Sequence, residues 1–360
     1  MNRLNVLFAP FYTAVPYQRR LADALKQHGV DVHGAPSVGL LRPRFIESFR
    51  ELRPDLLHLH WLHPWFLEPG LWATLGRARD FFAQLREVRA GGAGLIWTAH
   101  NLVNHDRLHV RLDTRVTRRV ALLSDAVIVH GPAAKERVVE FCGDAVSDKV
   151  EVIPLGNHIG GVPNDIDRDA ARAELGLDRN QIVLLFLGRI RKYKGVFDLL
   201  RAFAEAPPGP AVTLLIAGKT HGDRARIRLK RRCKRTEQVE LHYGYVQDER
   251  VQVFMNAADF VVLPYHDILS SDATLLATSF ARAVIAPRLP CLTEHLHAEG
   301  GVLYDPQDPS GLKSAIRTAI ARVDQAREMG RRNLEVAKQT PWSRSAELTN
   351  QLYRRVLGKG

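Results

Sequence analysis

Short apolar runs alternate along the chain with polar turns and with longer segments whose apolar residues have helical spacing. The runs are rich in β-branched and aliphatic residues, which is typical of parallel strands that are covered on both faces. They lie at residues 4–10, 30–35, 55–61, 94–100, 125–131 and 150–156 in the first half, and at 181–188, 211–218, 239–244, 259–264, 283–287 and 300–306 in the second. The pattern predicts an α/β protein built on parallel sheets.

Twelve strands are too many for one open sheet of the usual size, so the pattern favours two doubly wound, Rossmann-like domains of six strands each. Gly, Pro, Asn and Asp residues punctuate the segment 157–172 and predict the boundary. We therefore expect an N-terminal domain over residues 1–160 and a C-terminal domain over 165–339. A last helix is expected in 340–360, capped by Thr340 with Pro341 at its first position.

Composition adds limits to this picture. The 360 residues suit two domains, and 46% of them are hydrophobic, which is enough for a sizeable core. No apolar run approaches the roughly 20 residues that span a bilayer, and we expect no signal peptide. Three widely separated cysteines (Cys142, Cys233 and Cys291) are typical of a reducing compartment and suggest neither a metal site nor a redox pair. These features predict a cytoplasmic protein.

The clearest candidate for chemistry is a charged turn between a predicted strand and a predicted helix. The apolar run ends at Gly188, and Arg189, Arg191, Lys192 and Lys194 follow before Gly195. Ligands of open parallel sheets bind beyond the carboxyl ends of strands, where helix N-termini expose their amides. Arg189 and Lys194 could converge there on one anionic group, the first as a bidentate fork and the second as a point charge. A solvated basic turn without a ligand explains the spacing equally well.

The segment GRIRKYKGVFDLLRAF (188–203) resembles the phosphate-binding segment of GT-B glycosyltransferases, above all glycosyltransferase family 4. The segments at 214–223, 240–265, 281–316 and 340–357 resemble later elements of the same family in the same order, and DLLHLHW, IWTAHN, SDAVIVHG and VIPLGNH have counterparts in its first half. The resemblance implies two Rossmann-like domains that face a central cleft and a last helix that crosses back to the N-terminal domain. It also implies transfer of a sugar from a nucleotide-sugar donor.

The chain departs from the family where the donor sugar would bind. Relatives usually carry two glutamates separated by seven residues, and an ungapped alignment places those positions on Ile268 and Leu276. Asp272 is expected to be either a helix cap or an acceptor for sugar hydroxyls, and a plain capped helix is the alternative. Free amides and hydroxyls at the start of this helix suit a diphosphate. The donor-binding residues implied by the resemblance and by this helix start are Gly188, Tyr245, Val246, His266, Asp267, Ser270, Ser271, Asp272, Thr274 and Glu294.

Segments 265–287, 96–101 and 152–158 resemble a branch of the family associated with exopolysaccharide and lipid-linked sugar assembly, in which some relatives are β-mannosyltransferases that use GDP-mannose. Asp272 and Ala281 stand where that branch tends to have glycine. The resemblance implies GDP-mannose as donor and a glycan or polyprenyl-diphosphate-linked saccharide as acceptor, in bacterial surface polysaccharide synthesis. A UDP-sugar transferase, a nucleotide-sugar epimerase and a non-catalytic nucleotide-sugar-binding protein stay open as alternatives.

The expected chemistry divides between the two domains. Arg189 and Lys194 can stabilise the charge of a departing diphosphate, and no metal is expected because no Asp-x-Asp follows an apolar strand. His100 ends a predicted strand and is the candidate base, although a structural hydrogen bond would also explain it. The expected acceptor-binding residues are Tyr12, Tyr17, His105 and Asp106. Zinc binding by the neighbouring His58, His60 and His63 is improbable because the flanking residues are aromatic.

The formal net charge of +12 favours an anionic partner, which could be nucleic acid, a phosphorylated ligand or an anionic membrane. Two predicted helices, 107–123 and 223–235, are basic, and Arg111, Arg115, Arg118 and Arg119 lie near one side of the first. A lipid-linked acceptor would favour such a face at an anionic inner-membrane surface, with the protein held there peripherally, whereas a solvated helix face explains it equally well. The chain lacks zinc-finger, RNA-binding and helix-turn-helix signatures, so no nucleic-acid partner is expected.

Overall fold

The computed structural model describes residues 3–13, 15–35, 44–206 and 211–358. The chain divides into two compact units. The N-terminal unit comprises residues 1–156 and 340–360, and the C-terminal unit comprises residues 157–339.

A six-stranded parallel sheet forms the centre of the N-terminal unit, with strand order β2-β1-β3-β4-β5-β6. Its strands are β1 (Leu4–Ala9), β2 (Val30–Gly34), β3 (Leu56–Leu59), β4 (Gly94–Thr98), β5 (Ala126–Val129) and β6 (Val150–Val152). Its helices before residue 157 are α1 (Pro16–Lys26), α2 (Ile46–Leu52), α3 (His63–Phe66), α4 (Leu71–Ala90), α5 (Val110–Leu123) and α6 (Pro132–Cys142). The chain reverses its direction of progress across the sheet between β1 and β3, where ligands of such sheets usually bind.

A second parallel sheet forms the centre of the C-terminal unit, with strand order β12-β11-β10-β7-β8-β9. Its strands are β7 (Ile182–Leu187), β8 (Val212–Gly218), β9 (Val239–Tyr243), β10 (Phe260–Val262), β11 (Ala283–Pro287) and β12 (Gly301–Tyr304). Its helices are α7 (Arg168–Glu174), α8 (Val196–Ala204), α9 (Asp223–Lys234), α10 (Asp248–Ala257), α11 (Asp272–Ser279), α12 (Pro290–Thr293), α13 (Gly311–Ala321) and α14 (Ala326–Lys338). The equivalent reversal lies between β7 and β10.

The last helix of the described chain, α15 (Trp342–Val356), packs in the N-terminal unit against α1. Its apolar face includes Tyr353, which is fully buried and whose hydroxyl lies 2.6 Å from Nδ1 of His58 on β3. The predicted cap differs by one residue, since the helix starts at Trp342 with Pro341 as its cap residue and makes no side-chain cap bond.

The α/β class and the two six-stranded parallel sheets agree with the sequence prediction. The N-terminal unit, however, ends at Gly156 rather than at residue 160. The reason is that Asn157 donates a hydrogen bond to the carbonyl of Ala337 at 2.8 Å, and the amide of His158 donates to Ser279 Oγ at 2.9 Å. Among the described residues, no helix combines the length and the hydropathy that crossing a bilayer requires.

Candidate active site

The charged turn lies at the carboxyl end of β7, at the reversal point of the C-terminal sheet. A short 3-10 turn covers Lys192–Lys194, and Gly195 follows with a left-handed φ of 67°. A Cβ atom on Gly195 would overlap the carbonyl oxygen of Pro264, which follows β10. The amide of His266 donates to the carbonyl of Tyr193 at 2.8 Å. The turn is therefore fixed against the segment that follows β10.

An open cleft of about 600 Å³ lies in front of this turn. It is bordered by the ends of β7, β8 and β9 and by the start of α11. Its lining residues are Leu187, Gly188, Arg189, Arg191, Tyr193, Lys194, Gly218, Lys219, Thr220, His221, Gly244, Tyr245, Val246, Val251, Tyr265, Ile268, Ser270, Ser271, Asp272, Ala273 and Leu276. Of the predicted donor-binding residues, this set brings together Gly188, Tyr245, Val246, Ser270, Ser271 and Asp272 with Arg189 and Lys194.

Arg189 and Lys194 give the cleft its positive charge. Arg189 is exposed, and Lys194 is half-buried with its Nζ 5.3 Å from the centre of the Tyr265 ring. Burial lowers the pKa of Lys194 from its ordinary value, while nearby Tyr193 and Asp272 act in the opposite direction. Within the described part of the chain neither cation has a carboxylate oxygen within 4.0 Å, so an anionic ligand could pair with both.

The start of α11 forms the opposite side of the cleft. Ser271 caps the helix by accepting a hydrogen bond from the Thr274 amide at 3.1 Å, so the side-chain cap that we considered for Asp272 belongs to Ser271. Asp272 keeps 60% of its side-chain surface exposed and lies 2.9 Å from Nε2 of buried His158. Its carboxylate is therefore positioned to accept hydrogen bonds from hydroxyl groups in the cleft. Sequence reasoning did not identify His158, because its partner is 114 residues away.

Two buried hydroxyl groups near this helix have no hydrogen-bond partner in the described structure, Tyr265 Oη and Thr274 Oγ1. Tyr265 lines the cleft and was not predicted as a site residue, because a tyrosine after an apolar strand is indistinguishable from a core residue in sequence. Ile268 and Leu276, which stand at the positions of the family glutamates, also line the cleft. The two family positions thus contribute apolar surface here.

The other predicted donor-binding residues lie outside the set that lines the cleft. His266 is exposed, and its Nε2 lies 2.8 Å from Asp198 on α8. Asp267 is exposed, Thr274 is fully buried and Glu294 directly follows α12. These four residues therefore do not line the cleft.

A cluster of aromatic and imidazole rings occupies the carboxyl edge of the N-terminal sheet. His100 follows β4 and stacks on Trp61 with ring centres 4.4 Å apart and planes 18° apart. His60 Nδ1 lies 3.3 Å from His100 Nε2, and Tyr17 contacts His100 edge to face at 5.0 Å. Tyr12 packs near Trp61 at 5.6 Å. The reversal point between β1 and β3 thus collects His100, Tyr12 and Tyr17.

Burial keeps the inner histidines of this cluster neutral. Desolvation lowers the pKa of His58 to about 3 and that of His60 well below its ordinary value. Neighbouring imidazoles lower both further. Because His60 stays neutral, its Nδ1 can either donate a hydrogen bond to Nε2 of half-buried His100 or accept one from it, according to its tautomer. His105 and Asp106 are exposed on the following loop.

Metal ligands are the remaining possibility for such a site. Over the described ranges, no group of three or more His, Cys, Asp or Glu side chains is placed to hold a metal ion. The absence of a metal requirement stays a prediction.

Comparison with known proteins agrees with this architecture. Residues 6–158 match the family model "Glycosyltransferase Family 4", and residues 181–322 match "Glycosyl transferases group 1". A GDP-mannose:glycolipid 4-beta-D-mannosyltransferase of Xanthomonas campestris is 26% identical over 99% of this chain and 94% of its own length. A D-inositol 3-phosphate glycosyltransferase of Segniliparus rotundus is 29% identical over 86% of this chain and 68% of its own length. The solved sucrose-phosphate synthase of Thermosynechococcus elongatus superposes with a TM-score of 0.79 at 20% identity and full coverage of both chains.

The two family models together cover most of the chain, and the structural neighbour has the same fold over its full length. The protein is a GT-B glycosyltransferase. It is similar to family 4 and is a hexosyltransferase.

Proposed function

We propose that this enzyme transfers mannose from GDP-mannose to a glycan or lipid-linked saccharide in bacterial surface polysaccharide synthesis. The observation that carries the proposal is the cleft in which Arg189 and Lys194 face the start of α11. The full-length similarity to a GDP-mannose:glycolipid mannosyltransferase supports the choice of sugar nucleotide and of acceptor class. We place the reaction on the cytoplasmic side of the inner membrane, with the protein attached peripherally.

Arg189 and Lys194 would act on the departing diphosphate. Breaking the bond between sugar and phosphate leaves positive character on the sugar carbon and negative charge on the leaving group. Two cations without a carboxylate partner in the described residues can stabilise that charge, so we propose a reaction that does not need a divalent metal. Ser270 and Ser271 contribute hydroxyls on the same side of the cleft, and Asp272 would accept a hydrogen bond from a sugar hydroxyl.

His100 would take the proton of the attacking acceptor hydroxyl. It is half-buried at the edge of the N-terminal sheet and is positioned by its stacking on Trp61 and by its contact with His60. Tyr12 and Tyr17 surround these rings and would contact the acceptor. For His105 and Asp106 a role in acceptor binding requires the exposed loop to reach the acceptor.

A thermal-shift panel combined with a transfer assay tests the donor assignment. GDP, UDP, ADP, GDP-mannose, UDP-glucose, UDP-GlcNAc and UDP-glucuronate are compared with and without magnesium and EDTA. GDP and GDP-mannose should raise the melting temperature without metal, because a ligand that binds only the folded state stabilises it by mass action. Stabilisation by UDP-sugars alone would show that guanine is the wrong nucleotide base for the donor.

The same panel is run on Arg189→Ala and Lys194→Ala, with Lys192→Ala as the matched control. Lys192 is exposed in the same turn and does not line the cleft. We expect both cleft variants to lose the shift and to lower turnover by about a hundredfold or more, since each removes a charge from the leaving-group site. Lys192→Ala should behave as wild type. Normal turnover in both cleft variants would contradict the donor-site assignment.

A further inference from the structure

Helices α4 and α5 present two exposed stripes side by side on the N-terminal unit. On α4, Trp72, Arg79 and Arg86 recur at spacings of seven residues and therefore lie on one helix face. On α5, Leu112, Arg115 and Arg119 recur at spacings of three and four and share one face. A groove of about 690 Å³ runs between the helices, lined by the four arginines together with Leu75 and Leu112 among others. We call this surface the α4–α5 face.

One end of the α4–α5 face is apolar. Trp72 is 83% exposed, Leu71 is 47% exposed, and Leu108 and Val110 are 39% and 36% exposed. The starts of the two helices are held together where His109 Nε2 lies 3.0 Å from the carbonyl of Pro69. The four exposed apolar residues therefore lie at or next to two neighbouring helix starts, and clustered exposed apolar residues are typical of interaction surfaces.

The rest of the α4–α5 face is strongly positive. Arg79, Arg86, Arg115 and Arg119 are exposed, and in the described ranges none has a carboxylate oxygen within 4.0 Å. Asp80 also lines the groove, but Arg44 already pairs with it at 3.1 Å. The guanidinium of Arg119 packs over the Phe82 ring at 4.6 Å, which holds that side chain in place. The groove thus offers several donors to anionic groups and little charge to repel them.

We propose that the α4–α5 face docks on a bilayer that contains anionic phospholipid. The apolar end would enter the boundary between headgroups and acyl chains, where tryptophan is favoured, while the arginines bind lipid phosphates. Charge complementarity selects this occupant, because apolar side chains at the tip of a basic groove match the two layers of a membrane surface. A nucleic acid would use the arginines and could stack on Trp72, but it would leave the aliphatic Leu71, Leu108 and Val110 in water.

The topology gives this docking a consequence for the reaction. Each helix links two neighbouring parallel strands, α4 from β3 to β4 and α5 from β4 to β5, so both run back from the carboxyl edge of the sheet. Their apolar N-terminal ends therefore lie at the edge that carries His60, Trp61 and His100. Docking would turn that edge toward the membrane, where a lipid-linked saccharide is presented. This consequence rests on the proposed function, but the docking itself needs neither donor nor acceptor.

Co-sedimentation of the full chain with vesicles tests the docking. Vesicles of phosphatidylcholine alone are compared with vesicles that contain 30% phosphatidylglycerol (a chosen composition, about one lipid in three), at low and high salt. We expect binding only to the anionic vesicles and weaker binding at high salt. The double variant Arg79→Glu/Arg115→Glu should bind about thirtyfold more weakly or worse, since each lost cation near the surface removes about a factor of five.

The matched control is Arg224→Glu/Arg231→Glu on α9, which makes the same charge change on the other exposed basic helix. It should bind as wild type apart from a small nonspecific loss. Equal losses in the two double variants, or binding to vesicles without phosphatidylglycerol, would overturn the proposal. The proposal would also be overturned if the wild type bound an oligonucleotide but no vesicles, and if the α4–α5 double variant lost that oligonucleotide binding.

Tryptophan fluorescence gives an independent readout. Trp72 is the most exposed of the five tryptophans, and anionic vesicles should shift its emission to the blue as it leaves water. Trp72→Phe should remove that shift and keep the fold. A wild-type spectrum that does not change on vesicle binding would overturn the insertion of the apolar end. The experiment contains vesicles but neither the donor nor the acceptor. A negative result would therefore leave the donor assignment unaffected.

Discussion

At the scale of single residues, the hydroxyl group of Tyr265 lies buried beside the cleft without a hydrogen-bond partner in the described residues. A buried hydroxyl without a partner lowers the stability of the folded state. The ring itself is well used, since it packs under the ammonium of Lys194 at 5.3 Å. The unpaired hydroxyl therefore lowers the stability of the folded state and contributes nothing to packing. Such a group is typical of a residue that serves ligand binding.

Tyr265→Phe should raise the free energy of unfolding by about 1 kcal/mol, because it removes the unpaired hydroxyl and keeps the ring. The measurement is urea denaturation followed by circular dichroism. The same variant should weaken donor binding by about tenfold if the hydroxyl bonds the donor after a side-chain adjustment. Tyr243→Phe is the matched control, since its hydroxyl is 3.0 Å from Thr220 Oγ1 and its removal should lower stability by about 1 kcal/mol. A loss of stability in both variants would show that Tyr265 is paired in the folded protein.

How far the sequence predicts individual site residues depends on the range of their contacts. Arg189 and Lys194 could be assigned from local spacing, and the structure places both in one cleft. Ser271 as helix cap, instead of Asp272, depends on side-chain direction that sequence spacing does not determine. His158 contacts Asp272 although the two are 114 residues apart in sequence, and no local sequence pattern predicts such a contact.

At the scale of elements, the turn between β7 and α8 depends on Gly195. Its φ of 67° disfavours any residue with a Cβ, and a Cβ there would also overlap the carbonyl oxygen of Pro264. The two costs add because the backbone cannot shift without breaking the 2.8 Å bond from the His266 amide to Tyr193. Arg189 and Lys194 both lie in the segment between β7 and α8 whose conformation depends on Gly195.

Gly195→Ala should lower the free energy of unfolding by about 3 kcal/mol and reduce donor binding, because the turn must move. Gly176→Ala is the control, since Gly176 has a similar φ of 71° but open space around it. It should cost only about 1 kcal/mol. Urea denaturation and the thermal shift with GDP measure the two effects. Equal costs for the two variants would show that the Pro264 contact relaxes freely.

The strands could be predicted from the sequence because continuous aliphatic runs have few alternatives in an α/β chain. The edges of elements could not. Pro341 rather than Thr340 caps α15, and the N-terminal unit ends at Gly156 because Asn157 and His158 bond residues in the C-terminal unit. Boundaries follow such distant hydrogen bonds, which sequence patterns do not specify.

At the scale of the whole molecule, both units bury neutral histidines. Burial lowers the pKa of His58 to about 3 in the N-terminal unit and that of His295 to about 4 in the C-terminal unit. A histidine in the unfolded chain has a pKa near 6.5. Below that pH, His58 and His295 bind a proton in the unfolded chain but stay neutral in the folded units. Stability therefore falls as the pH drops from about 6.5 toward these lower values.

For His58 the loss at pH 5 should be about 2 kcal/mol relative to pH 7.5. All five tryptophans (Trp61, Trp65, Trp72, Trp97 and Trp342) lie in the N-terminal unit, so their fluorescence in urea reports the unfolding of that unit alone. His58→Gln should lower stability at pH 7.5, since it disturbs the bonds to Thr98 and Tyr353, and should reduce the further loss at pH 5.

Thr98→Val is the control, since it removes one of these two bonds and keeps the buried imidazole, so it should lower stability at pH 7.5 and retain the further loss at pH 5. His60 is also buried and neutral and adds its own loss, so some pH dependence should persist in His58→Gln. A profile for His58→Gln that runs parallel to wild type between pH 7.5 and pH 5 would mean that His58 accepts a proton in the folded unit. The hydrogen bonds to Thr98 and Tyr353 would then have to hold an imidazolium, with the Tyr353 hydroxyl turned to accept from it.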